Sequence, residues 1–72
     1  MDLIEIKEKR RLQREEAAKW LVELADQLAR HNKLEFTDDG RRYTVDVPKD
    51  LEMEVEFEID DDGASLEIEL NW

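Results

Sequence analysis

The chain has 72 residues, a net charge of −10, one histidine and no cysteine. That length makes one domain, and the missing thiols exclude disulfides, zinc–thiolate centres and iron–sulfur clusters. The charge argues against direct nucleic-acid binding, which needs positive surface to displace counterions, and against docking on anionic lipid.

The opening "MDLIEIKEKR" holds no apolar stretch of signal-peptide length, and no run approaches a membrane span. A cytoplasmic protein is the expectation. "LIEIKEKR" alternates, with Ile4 and Ile6 on one face and Glu5, Lys7 and Lys9 on the other, which predicts a short first strand. From about Gln13 the period changes. Ala17, Leu21, Leu24 and Leu28 follow the spacing of one helix face, flanked by Trp20 and Ala25. Glu15 and Glu16 suit the positive end of the helix dipole, and Arg30, His31 and Lys33 suit the negative end. Glu15–Lys19 and Asp26–Arg30 are i, i+4 pairs. Asn32 fits a left-handed residue just past the end, whereas Gln13 is a poor N-cap.

Beyond the helix the chain alternates throughout. Asp39-Gly40 as a two-residue type I′ turn pairs Phe36 with Tyr43 and Leu34 with Val45. Pro48 closes that strand, and a turn at "PKD" would set Val47 opposite Leu51, Val45 opposite Met53 and Tyr43 opposite Val55. Asp62-Gly63 as a last turn pairs Ile59 with Leu66, Phe57 with Ile68, Val55 with Leu70 and Met53 with Trp72. These turns keep the apolar residues on one face, which a one-residue slip would destroy. The predicted fold class is α+β: one amphipathic helix packed on one face of a mainly antiparallel four- to five-stranded sheet. Its element order is β-α-β-β-β-β. Lys7 and Lys9 would sit well beside Glu67 and Glu69, which gives the spatial order 1-5-4-3-2.

On the open face that register sets Glu56 against Glu69 and Glu58 against Glu67, with Arg42 facing Glu56. Such a row of Glu can simply be a solvated face that discourages edge-to-edge association. Its functional reading is a surface for a basic protein partner, made by Glu52, Glu54, Glu56, Glu58, Glu67 and Glu69. A second reading is a weak divalent-cation site. Glu58, Asp60, Asp62, Gly63 and Glu69 match the spacing of an EF-hand loop, with Glu at its first position. An EF-hand needs flanking helices, and here both flanks read as strands. Catalysis has no constellation to rest on. His31 sits at a helix end, Ser65 has no evident base, and a flat wet face supplies no unlike environments for two carboxyls. The expectation is no enzyme, no cofactor and no metal.

Trp72 has inward parity, and Trp20 flanks the helix stripe. A helix is roughly 10 Å wide, whereas five strands span about 20 Å. Inward apolar surface would therefore remain near the sheet edges, which leaves homodimerisation open. "LQREEAAKWLVELADQLARHNKLEF", the alternating "LEMEVEFEID" and the terminal "SLEIELNW" together resemble the amphi-Trp domain. The likeness covers roughly residues 10–72. Members are small acidic prokaryotic domains with a helix, an alternating Glu-rich end and a tryptophan near the C-terminus. The resemblance implies a single compact domain over 1–72 and brings no enzymatic activity with it.

Overall fold

In the computed structural model, residues 4–72 are described. They form one helix, α1 (Arg14–His31), then four strands: β1 (Lys33–Asp38), β2 (Arg41–Asp46), β3 (Glu52–Asp60) and β4 (Gly63–Asn71). All pairing is antiparallel, so the α+β class with antiparallel strands stands.

Helix α1 begins at Gln13, whose backbone is extended and whose side chain makes no capping bond. Its carbonyl alone starts the helix, accepting from the N–H groups of Glu16 and Ala17 at 3.1 Å each. Asn32 ends it in the left-handed conformation at φ 54°, as its short polar side chain permits. Arg30 and Asp26 form the anticipated i, i+4 pair at 2.7 Å. Glu15 meets its neighbour Arg14, at 3.4 Å.

The first hairpin has the anticipated register, Leu34↔Val45 and Phe36↔Tyr43. Asp39 and Gly40 both have positive φ, 51° and 75°, which is what a type I′ turn requires of its two central residues. The Val47 N–H donates to the Asn32 carbonyl at 2.8 Å and carries the ladder one step past β2. Helix α1 flanks the outer edge of β1, where the Gln27 side-chain carbonyl accepts the Glu35 backbone N–H at 3.2 Å. A strand edge otherwise open to pairing is blunted in this way. Leu34 and Val47, 5% and 8% exposed, are the buried apolar residues of this corner. Around them Ala17, Leu24, Leu28, Phe36 and Tyr43 are half-buried.

The expected single sheet is not formed. The strands pair as two separate ribbons, β1–β2 and β3–β4, so the order 1-5-4-3-2 is absent among the described residues. Joining β2 to β3 through a turn at Pro48–Asp50 would set Asp46 level with Glu52, two like charges directly opposed. Asp46 instead lies 3.8 Å from Lys33, its partner across the first ladder. Pro48 also lacks the N–H that a ladder needs. The first strand is likewise missing: residues 4–13 carry no strand, and Leu3, where the alternation begins, lies outside the described residues. Ile6 is half-buried and lines an open depression with Phe36 and Tyr43, without a backbone ladder. Two apolar positions give that segment little reason to hold a strand register.

The consequence is an open molecule. It exposes 7343 Å², whereas a folded monomer of 8.6 kDa exposes about 4,700 Å². Its radius of gyration is 14.2 Å, against about 11 Å for a compact domain of this length. The missing cap gives a direct test of the helix. Gln13→Ser should raise stability by about 1 kcal/mol, as a hydroxyl acceptor at this position does. Urea unfolding followed by helical circular dichroism checks it, and an unchanged midpoint would mean that the helix begins elsewhere.

Candidate interaction surface

The β3–β4 ribbon carries every partner-binding residue that the sequence suggests. Side chains alternate between faces along a strand, so the odd residues of β3 and the even residues of β4 share one side. The pairs there are Met53↔Leu70, Val55↔Ile68, Phe57↔Leu66 and Ile59↔Ala64. On the other side Glu54 stands opposite Glu69 and Glu56 opposite Glu67, with Glu52 opposite Asn71 and Glu58 opposite Ser65. The expected pairs, Glu56 with Glu69 and Glu58 with Glu67, are each displaced by two residues.

The turn explains the displacement. Asp61 and Asp62 form the loop, with Asp60 level with Gly63. The Asp60 carboxylate accepts the Asp62 backbone N–H at 2.8 Å, an Asx-type bond by which an aspartate closes a turn with its own side chain. That places the reversal one residue earlier than a turn at Asp62-Gly63 would. The resulting shift is even, so each strand keeps its faces.

Four carboxylates, Glu54, Glu56, Glu67 and Glu69, line an open depression on the acidic side. Asn71 donates to Glu69 at 3.0 Å, which orients one of them. Arg42, expected to face Glu56, instead meets Glu35 at 3.8 Å within the first hairpin. The charge is sharply divided along the chain. Residues 1–50 contain 12 of the 21 acids and all 11 Lys and Arg, a balance of −1; residues 51–72 hold the other nine acids and no cation, a balance of −9.

The residues of the EF-hand-like spacing do not converge. Asp60 and Asp62 sit at the turn, whereas Glu69 lies six residues along β4 from Gly63, about 20 Å away at strand rise. A calcium loop wraps its ligands around one point, and two paired strands hold these ligands apart. No group of three or more ligating residues close enough to hold a metal occurs among the described residues. His31 and Ser65 lie on separate elements, at the end of α1 and within β4. No described helix is long and apolar enough to cross a membrane.

The tryptophans do less sealing than their positions suggest. Trp20 lines an open cleft with Ile6, Leu24 and Phe36 and remains partly exposed. Trp72, expected opposite Met53, lies one step past the Glu52↔Asn71 pair and is half exposed. Sequence reasoning also missed Gln27. Its place beside the apolar stripe of α1 marks it as a surface residue, and only the nearby edge of β1 gives its amide a role.

Fold and site together define a small α+β domain whose C-terminal ribbon is acidic on one side and apolar on the other. The family model of the Amphi-Trp domain matches residues 1–72, the whole chain, and the protein belongs to that family. No curated protein and no solved structure matches it.

Opposed carboxylates have a measurable cost. Glu56→Gln removes the like-charge pair with Glu67 and should raise stability by a few tenths to about 1 kcal/mol. Added salt should raise the wild-type melting temperature more than that of the variant, because screening acts on the same repulsion. Equal salt responses in thermal melts would show that the two side chains are not crowded.

Proposed function

We propose that the domain is a non-catalytic interaction module, cytoplasmic in setting, which offers the acidic side of its C-terminal ribbon to a basic protein surface. The observation that carries this reading is the division of charge: −9 on residues 51–72 against −1 on the preceding fifty. A field of one sign on a flat, open surface steers an oppositely charged partner and fixes its orientation. Glu52, Glu54, Glu56, Glu58, Glu67 and Glu69 would make the contacts. The alternative is weak divalent-cation binding by the carboxylates of the 58–69 hairpin. Charge density is its only support, since Glu58, Asp60, Asp62 and Glu69 are strung out along the ribbon.

Titration of isotope-labelled protein with an oligolysine peptide at low salt tests the proposal. Amide shifts should concentrate on β3 and β4 and collapse as salt is added. Glu54→Gln, Glu56→Gln, Glu67→Gln and Glu69→Gln combined should weaken binding roughly tenfold or more, at a few tenths to about 1 kcal/mol per exposed ion pair. Shifts spread evenly over the acids of α1 and of the ribbon would overturn it. A parallel calcium titration that saturates at residues 58–69 would favour the cation reading instead.

A further inference from the structure

The apolar side of the β3–β4 ribbon has no neighbour among the described helix and strands. Among the described elements β3 and β4 contact each other, whereas α1 contacts β1. Phe57 and Ile59 are 65% and 70% exposed, and Leu66 and Ile68 on the same side of β4 are more than half exposed. A two-stranded ribbon is marginal at best in water without a hydrophobic cover, so this face needs an occupant.

We infer that the occupant is a second copy of the chain, packed face to face so that the two apolar sides close on each other and the acidic sides point outward. Area is the first argument. The molecule exposes about 2,600 Å² more than a compact monomer of its mass would. A stable interface needs roughly 800 Å² from each partner. At roughly 100 Å² for each large, exposed apolar side chain, Met53, Val55, Phe57, Ile59, Leu66 and Ile68 of the ribbon come to about 600 Å², and the flanking Leu51 and Trp72 bring the total close to that amount.

Charge selects the geometry. Each copy carries −10, so two copies can meet only where neither presents acid. The apolar side is such a place, because the register sends every glutamate of β3 and β4 to the opposite side. Pairing edge to edge would instead continue the ladder and bring the glutamates of neighbouring ribbons side by side, like charge beside like charge. Face-to-face packing holds the two sheets about 10 Å apart, with both acid rows on the outside. A two-fold interface uses the same patch on both copies, which a face of uniformly apolar residues allows.

The chain's own helix does not meet this need. One helix roughly 10 Å wide already flanks β1 and is tied to it through Gln27 and Glu35. Moving it onto the second ribbon would break that bond and uncover β1, the strand of Leu34, the most deeply buried of the described residues.

Sedimentation equilibrium from micromolar to millimolar protein tests this assembly with no basic partner present, so its outcome is separate from that of the proposed function. The expected mass is twice that of the 8.6 kDa chain, and Phe57→Glu should shift it to one chain. A single-chain mass for the wild type over the whole range overturns the inference. Because the chain has no cysteine, single substitutions report the geometry without requiring Phe57→Glu to fold. Ile68→Cys should be joined into covalent dimers by a short bifunctional thiol reagent that spans the roughly 10 Å between packed sheets, whereas Glu67→Cys, on the acidic side, should not. The reverse pattern overturns the face-to-face assignment.

Discussion

Side chains on a strand alternate between faces, and in the β3–β4 ribbon that alternation sorts apolar and acidic residues onto opposite sides. Val55↔Ile68 and Phe57↔Leu66 occupy one, Glu54↔Glu69 and Glu56↔Glu67 the other. Everything distinctive about the protein follows from this sorting. The two sides have incompatible demands: the acidic one must stay wet, because like-charged carboxylates repel and cannot be desolvated cheaply, and the apolar one is stabilised by leaving water. A helix-covered sheet reconciles these demands within one chain. A free ribbon must reconcile them through another molecule.

The rest of the fold is a small anchor. Leu34 and Val47 are buried where helix, first hairpin and linker meet, and a hydrogen bond from Val47 to Asn32 closes that corner. The Gln27 amide on the β1 edge keeps that strand from recruiting others. The anchor is nearly neutral and the ribbon strongly acidic. Membership of the Amphi-Trp family thus goes with a two-part construction, one part holding local structure and the other carrying charge and unsatisfied apolar surface.

Much of this was legible in the sequence where chemistry is local. Asp39-Gly40 gave the first hairpin and its register, because few residue pairs tolerate two consecutive positive φ angles. The helix face and the stop at Asn32 were readable for similar reasons, and even the weak start at Gln13 was visible as a missing acceptor. The second turn was harder. In "DDDG" several aspartates compete, and the side chain of Asp60 settles the matter with a bond that spacing alone cannot rank. The resulting error of two residues left the faces intact, so the acid row was foreseen correctly while its opposed pairs were not. Which ribbons join was not legible at all. Alternation specifies the faces of a strand and not the neighbour at its edge; that choice fell to Pro48 and to the competing pair Asp46–Lys33. The EF-hand-like spacing failed for a related reason, since sequence intervals imply convergence only where the backbone curls.

The central claim is that the apolar side of the ribbon lies away from its own helix. Nuclear Overhauser spectroscopy on a mixture of labelled and unlabelled chains, filtered to separate contacts within a chain from contacts between chains, tests it most directly. The account predicts strong cross-strand contacts between Phe57 and Leu66 within a chain, and contacts from both to the ribbon of another chain. Contacts from Phe57 to Leu24 or Leu28 of the same chain would contradict it.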